Sequence, residues 1–332
     1  TGFWRGIDTG DFNGDGRMDF VVANRGLNSG YKASAQKPFV AFHGDLDKDG
    51  RREIIETVRE NGKLLPRRNL STLNSAMPWL TGHLRNYDHY AQMTMETLSE
   101  AARLSNVDRT EITTLQSMVF LRTNGGFEAR PLPLGTQFTA AFSPVVADFD
   151  NDGVEDVVLS QNEFAVHSEE SRQDAGFGLL LTGRGDGSFG ATSIGESGLA
   201  VFGEGRGAAA ADFNHDGRTD LVICQNGAKP KLFLNQTKRR GLRVRLQCDE
   251  ANREGIGAQI RLELEGKLGP ARTIRLGSGF LSQSATTQVL GGAEKATALL
   301  VAWPSGGRER YKLTRGQSAV TAVKGQGNAV AD

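Results

Sequence analysis

Apolar residues in this chain come in short runs. FVVAN (20–24), VVLSQN (157–162) and LVICQN (221–226) are rich in β-branched residues and only a few positions long, so they predict strands buried on both faces. GLLLTGRGDGSFG (178–190) and MVFLRTNGGFEA (118–129) each place two such runs around a Gly-rich turn, which predicts hairpins, and KLFLN (231–235) reads as the start of another. From Gly241 the pattern changes. LRVRLQ (242–247), GAQIRLELEG (257–266) and ARTIRLGSG (271–279) alternate apolar and polar residues, and ATALLVAWPSG (296–306) ends in a Trp-Pro turn. These predict the half-exposed strands of a small antiparallel β domain over 237–325, with TKRRG (237–241) as its boundary. Only residues 86–104 carry a helical period, with Tyr87, Tyr90, Ala91, Thr94, Leu98, Ala101 and Ala102 near one face and Asn86 or Asp88 as cap. With MPWL (77–80) ahead of it, this is a helical insertion at about 70–106, read as packing against the rest of the fold or as a partner or ligand surface.

A polar nonapeptide precedes each β-branched run. DFNGDGRMD (11–19), DLDKDGRRE (45–53), DFDNDGVED (148–156) and DFNHDGRTD (212–220) all fit D-[FL]-[DN]-x-D-G-x-x-[DE]. Carboxylates crowded this closely repel one another unless a cation holds them, and Ca²⁺ takes about six to eight oxygens in a flexible shell. Side-chain ligands are expected at positions 1 (Asp11, Asp45, Asp148, Asp212), 3 (Asn13, Asp47, Asp150, Asn214), 5 (Asp15, Asp49, Asp152, Asp216) and 9 (Asp19, Glu53, Asp156, Asp220). Position 7 (Arg17, Arg51, Val154, Arg218) offers its backbone carbonyl, and the glycine at position 6 permits the sharp turn. No Cys and only scattered His accompany the loops, which argues against zinc. An EF-hand needs an acid at position 12 and a helix on each side. Only the second loop has that acid, Glu56; Val22, Leu159 and Ile223 stand there in the others, and the flanks read as strands. Glu56 is therefore assigned to a strand.

Loop, inner strand and hairpin, repeated, make a propeller blade. The fold class expected is all-β: a partial β-propeller over 1–236 with calcium-binding blade loops and a helical insertion, then the small β domain. Charge is uneven along it. Residues 236–332 hold 16 basic and 8 acidic side chains, and the remainder holds 23 and 31, so up to four Ca²⁺ would neutralise the first part. The chain starts at Thr1 without an initiator Met and reads as a fragment or processed product, so its first residues say nothing of targeting. No stretch is apolar for the ~20 residues a spanning helix needs. Cys224 and Cys248 give no disulfide framework and read as buried free thiols.

The four loops resemble the FG-GAP and VCBS repeats of integrin α-chain propellers and many bacterial secreted proteins. LRVRLQ, NREGIGAQIRLELEG (252–266), RLGSGFLSQSATTQVLGG (275–292) and VAWPSGGRE (301–309) resemble the ASPIC/UnbV domain that follows such repeats in proteins similar to cartilage acidic protein. NRGLNSGYKAS (24–34) and the helical insertion look like a bacterial branch of that family. The resemblance implies an extracytoplasmic, calcium-dependent protein with no assigned chemistry. Four blades are fewer than integrin-type propellers carry, which favours a truncated larger propeller. Glu53 departs from the usual Asp at position 9.

Nothing in the sequence has the form of a catalytic motif. There is no G-x-S-x-G, H-E-x-x-H or Walker loop, and GSGFLSQS (277–284) reads as strand and turn. His215 is expected to point to solvent. Every acidic cluster is accounted for by metal, leaving no pair for glycoside hydrolysis. RGD (184–186) falls in a hairpin where Gly and Asp are turn residues. Arg243, Arg245, Arg261, Arg272 and Arg275 read as a solvated strand face, with polyanion binding as the other possibility; nucleic acid is a poor fit because no aromatics interleave the charge. The function expected is a non-catalytic, calcium-binding, extracytoplasmic scaffold or adhesion module for a protein or glycan partner. The alternative is a polysaccharide-active enzyme whose catalytic residues lie in missing blades or in the helical insertion.

Overall fold

The computed structural model describes residues 1–83, 86–104 and 107–330, and divides the chain into two compact units. One comprises Thr1–Phe3, Gly30–Leu115 and His167–Ser171; the other holds the rest. Strands dominate the larger unit, whereas the smaller combines one four-stranded sheet with short helices. Among the described residues no helix is long and apolar enough to cross a membrane.

Strand β1 (Ile7–Gly10) and strand β2 (Asp19–Val22) pair antiparallel around the first nonapeptide. The chain then leaves this sheet and builds the smaller unit. There β3 (Phe39–Gly44), β4 (Glu53–Glu60), β5 (Lys63–Pro66) and β6 (Asp108–Ile112) form a sheet in the order β5-β4-β3-β6, with the second nonapeptide between β3 and β4. Between β5 and β6 come α1 (Leu70–Ala76), α2 (Tyr87–Ala91) and α3 (Met95–Ala101). Val40, Leu46 and Ile55 of the sheet side pack with Leu73, Met77, Leu80 and Leu98 of the helical side. The helix predicted over 86–104 is two helices. Asn86 caps α2 through the His89 N–H (2.9 Å), but Thr94 then takes extended backbone and caps α3 in a reciprocal box with Thr97, which ends one helix and starts another. Tyr87, assigned to the packed face, is exposed. Residues 84–85 and 105–106 of the predicted insertion lie outside the described residues. Glu56 sits in β4, where its carboxylate accepts from the Tyr31 hydroxyl (2.8 Å) and pairs with Arg68 (2.6 Å).

The larger unit resumes with β7 (Met118–Thr123) and β8 (Gly126–Pro131), which return to β2 and complete a sheet in the order β1-β2-β7-β8. A second sheet follows: β9 (Ala141–Ala147), β10 (Asp156–Gln161), β11 (Leu179–Gly183) and β12 (Phe189–Ala191). After the one-turn α4 (Ile194–Ser197) comes a third, β13 (Glu204–Ala211), β14 (Asp220–Asn226) and β15 (Ala228–Phe233). In each sheet the nonapeptide joins the first strand to the second; in the first two sheets a hairpin follows, one strand more than the sequence pattern suggests, and in the third a single strand follows. KLFLN is the returning arm of the β14–β15 hairpin and not the start of a new one. Phe12, Val21, Val119 and Leu121 of the first sheet share a core with Val157, Leu159 and Leu181 of the second. Val145 and Val158, on the opposite face of the second sheet, share one with Leu221 and Ile223 of the third. Stacked antiparallel sheets of this kind are consistent with propeller blades; no closed ring is formed among the described residues.

The C-terminal part of this unit has two further sheets. β16 (Leu242–Gln247) is flanked by β20 (Gln288–Leu290) and β23 (Ala319–Val323). β17 (Gln259–Leu264) lies between the short β18 (Lys267–Leu268) and β21 (Ala296–Ala302), with β19 (Arg272–Thr273) also paired to it, and β22 (Arg308–Lys312) and β24 (Asn328–Val330) extend the sheet beyond β21. The expectation of antiparallel strands fails at one pair: β16 and β23 run parallel. They are far apart in sequence, so no hairpin dictates their direction. Leu242, Val244, Ile260, Leu299, Val301 and Trp303 form the core between the sheets.

Candidate metal centre

The four nonapeptides adopt one local geometry. Position 4 is left-handed in all of them: Gly14 (φ 71°), Lys48 (68°), Asn151 (57°) and His215 (62°). Glycine at position 6 is left-handed too, with φ of 87°, 88°, 90° and 80° at Gly16, Gly50, Gly153 and Gly217. The loop thus turns twice. Each turn is fastened by a side chain: the position-3 oxygen accepts the position-5 N–H at 3.0–3.2 Å, and the position-5 carboxylate accepts the position-7 N–H at 2.8–3.0 Å. One oxygen of the position-1 acid accepts the N–H of the glycine: Asp11 from Gly16 (2.9 Å), Asp45 from Gly50 (3.1 Å), Asp148 from Gly153 (2.8 Å) and Asp212 from Gly217 (3.0 Å).

The acid at position 9 reaches further. Asp19, Glu53, Asp156 and Asp220 accept the position-2 N–H of Phe12, Leu46, Phe149 and Phe213 at 2.8–2.9 Å. In the larger unit its second oxygen also takes an N–H from the end of the third strand or just after it: Asp19 from Arg122 (2.7 Å), Asp156 from Gly183 (2.9 Å) and Asp220 from Asn235 (2.8 Å). The sequence pattern suggests a ligand here; the structure shows a tie between loop, second strand and third strand as well. At position 7, the Arg17 side chain donates to Asn124 (2.7 Å), Arg218 pairs with Asp216 (2.6 Å), and Arg51 and Val154 enter the loops through their N–H groups.

Two of the loops bring three acids within reach of one ion. Oxygens of Asp45, Asp47 and Glu53 lie within 4.8 Å of one another, as do those of Asp148, Asp150 and Asp156. These are the loops with Asp at position 3; Asn13 and Asn214 stand there in the others. Unspent oxygens point to a missing counter-charge. Oδ1 of Asp11 and Oδ1 of Asp45 are buried without a hydrogen-bond partner, a costly arrangement for a carboxylate. Burial, and then the neighbouring Glu155, push Asp148 up to about 8, and burial pushes Asp156 up to about 7. Asp11, Asp19 and Asp152 are also raised, by burial first. All-oxygen donors, one of them an orphaned buried oxygen, fit a hard divalent cation.

Comparison with known families places both ends of the chain. Residues 3–35 match the FG-GAP repeat, and residues 248–329 match ASPIC and UnbV. The order agrees with the resemblance read from the motifs. No curated protein matches the chain.

The ASPIC and UnbV segment and the strand before it supply arginines to the loops, which the sequence reading missed. Arg272 makes a buried, two-bond pair with Glu155 (2.9 and 2.6 Å) in the third nonapeptide, and donates to the Val289 carbonyl (2.7 Å). Arg243 pairs with Asp212 (2.7 Å), Arg275 with buried Asp8, and the Arg261 guanidinium lies against Gly16 and Asp11. The Ala271 N–H donates to Asp11 Oδ2 (2.8 Å). The solvated strand face expected for these arginines holds only for Arg245, which is exposed. Partners more than a hundred residues away, such as Glu155 for Arg272, leave no local signal in sequence.

GSGFLSQS makes the expected turn, closed by the Ser278 N–H on the Ser282 carbonyl (2.9 Å), but it also reaches into the sheets. Gly279 exchanges backbone hydrogen bonds with Ile7 of β1 (2.8 and 3.2 Å), Phe280 donates to Ser143 Oγ of β9 (3.1 Å), and Ala285 donates to the Ala210 carbonyl of β13 (2.9 Å). One segment therefore straps the first strands of three sheets. Gly279 is needed there: its φ is 62°, and a Cβ would sit 2.0 Å from Ser143 Oγ. His215, expected free in solvent, is exposed but hydrogen-bonds Arg243 (2.6 Å). In RGD, Asp186 accepts from the Ser188 N–H and hydroxyl (2.8 and 2.6 Å), which is turn chemistry. Cys224 is exposed and Cys248 half-buried, which corrects the expectation of buried thiols.

Proposed function

We propose that the chain is a non-catalytic, calcium-binding scaffold that works outside the cytoplasm and presents its loops to a protein or glycan partner. The observation that carries the metal reading is the unpartnered, buried oxygen of Asp45 at position 1, in a loop that brings oxygens of Asp45, Asp47 and Glu53 within 4.8 Å of one another. Position 1, 3, 5 and 9 side chains would hold Ca²⁺, which would neutralise charges that burial otherwise penalises. Loops of this openness suit the Kd of order 10⁻⁴–10⁻³ M typical of extracellular modules, which supports export. The FG-GAP and ASPIC and UnbV matches favour a repeat-containing protein of extracellular type. The position-9 tie supports a structural role for the ion, because the same acid already fastens each sheet.

Thermal unfolding in excess chelator, in millimolar Ca²⁺ and in millimolar Mg²⁺ tests the metal. At that Kd, millimolar Ca²⁺ is about one to ten times Kd, so each site adds about 0.4–1.4 kcal/mol, and Ca²⁺ alone should raise Tm by a few degrees over up to four sites. Equal Tm in all three would reduce the loops to acidic turns. The scaffold role predicts calcium-dependent retention on glycan or protein matrices together with blank hydrolase screens; turnover of a polysaccharide would overturn it.

A further inference from the structure

Every carboxylate oxygen of the fourth nonapeptide is engaged. At position 1, Asp212 Oδ1 accepts the Asp216 N–H (2.9 Å) and Oδ2 the Gly217 N–H (3.0 Å). At position 5, Asp216 Oδ1 accepts the Arg218 N–H (3.0 Å) and Oδ2 the Asn214 side-chain amide (3.1 Å). At position 9, Asp220 takes the N–H groups of Phe213 and Asn235 (both 2.8 Å). Position 3 is the neutral Asn214, whose oxygen accepts the Asp216 N–H (3.2 Å). A carboxylate oxygen has a second lone pair, so these bonds alone leave room for a cation. Two guanidinium groups are already there. Arg243 Nε lies 2.7 Å from Asp212 Oδ2, an ion pair without the alignment of a hydrogen bond. Arg218 Nη1 lies 2.6 Å from Asp216 Oδ2.

The other loops differ at these atoms. The first also has Asn at position 3, yet Asp11 Oδ1 is buried without a hydrogen-bond partner and the Arg17 guanidinium turns to Asn124. In the second, Asp45 Oδ1 is buried without a partner too. In the third, Val154 brings no charge at position 7, Arg272 pairs with Glu155 at position 8, and Arg239 lies 4.0 Å from Asp150. Arg243, in contrast, is fixed from three sides. Its backbone pairs with Val289 of β20 and Ala319 of β23, and its N–H donates to the Ser318 carbonyl (2.9 Å). Its Nη2 donates to Nδ1 of His215, at position 4 of the same loop (2.6 Å). A guanidinium has no acceptor, so Nδ1 must be one.

We infer, on the calcium reading proposed above, that the fourth loop binds no calcium, because the guanidinium groups of Arg243 and Arg218 stand where the ion would. Calcium would have to break a partly buried ion pair to enter a loop of weak affinity. The fourth nonapeptide is then a receptor for an arginine of its own chain. It joins the third sheet to β16 at any calcium concentration.

Calcium bound per chain, counted by equilibrium dialysis, is the test. Asp216→Asn and Asp152→Asn replace matched position-5 acids with an isostere that still accepts the position-7 N–H. Circular dichroism checks that each variant is folded. Asp152→Asn should bind one ion fewer than the parent, and Asp216→Asn as many as the parent. The double variant Arg218→Gln, Arg243→Gln should bind one ion more, and adding Asp216→Asn should remove it again. A merely structural role for the two arginines would not raise the count. Loss of an ion in Asp216→Asn overturns the inference, as does a folded double variant that gains none. A parent that binds no calcium sinks the calcium reading instead. The guanidinium is then tested in chelator, where Arg243→Gln should lower Tm more than Arg243→Lys, which keeps the charge; equal losses overturn its role as counter-ion.

Discussion

Asp148 and Asp156 carry a proton in the folded protein at pH values where an unfolded carboxylate has lost it. Burial is the first cause in both, and it places them at about 8 and about 7, against 3.8 in an unfolded chain. Between those values the native state binds more protons than the unfolded state, so stability falls as pH rises. In chelator, Tm should therefore decline from about pH 5 to about pH 8. A bound divalent cation demands the ionised form, so with Ca²⁺ the decline should flatten or reverse, and the calcium increment should be larger at pH 8 than at pH 5.5. Melting curves across that range, with and without Ca²⁺, read both trends. A chelated protein that gains stability with pH would show that these carboxylates are not held protonated by burial.

At the scale of the strand and loop, position 9 and position 3 separate hydrogen bonding from metal binding. Asp156 satisfies the buried N–H of Phe149 and the part-buried N–H of Gly183, whereas Asp150 holds the exposed N–H of Asp152 and a long, exposed pair with Arg239 (4.0 Å). Leaving a buried donor unsatisfied costs about 1–3 kcal/mol. Asp156→Ala should thus lose roughly 2–5 kcal/mol in urea denaturation even in chelator. Asp150→Ala should lose less than about 1 kcal/mol there and show its larger deficit only in Ca²⁺. Equal losses in chelator would deny position 9 its role as a tie. The loops were legible in sequence because everything that shapes them lies within nine residues: the Asx turns, the glycine at position 6 and the run of acids. The second oxygen of position 9 was not, because Gly183 lies 27 residues from Asp156. The break at Thr94 was hidden for the opposite reason: the apolar period ran on through a residue whose side chain caps a new helix.

For the whole molecule, what sequence concealed is the order of assembly. FVVAN and MVFLRTNGGFEA each read as complete signals, yet β2 and β7 are neighbours in one sheet, with the smaller unit's main segment inserted between them. Nothing local marks a strand whose partner lies about a hundred residues on. The uneven charge has a similar history. Part of the C-terminal excess of arginine neutralises Asp8, Glu155 and Asp212 directly, so fixed guanidinium groups, as well as any bound cation, balance the acidic loops. The insertion can be tested by removal. Asn24 and Ser117 lie at its two ends and are already joined, the Asn24 N–H donating to Ser117 Oγ (3.0 Å) and its amide to the Gln116 carbonyl (3.1 Å). Ends this close permit excision. Replacing Gly30–Leu115 with a short Gly-Ser linker between Ser29 and Gln116 should leave the first sheet intact and the larger unit folded. It also removes the second nonapeptide, so bound calcium, counted by equilibrium dialysis, should fall from at most four ions to at most three. If the excised chain is folded and loses no calcium, the Asp45–Glu53 loop holds none in the intact protein. If it fails to fold, the first sheet needs more than its own four strands and the pairing of Asn24 with Ser117 to stay closed.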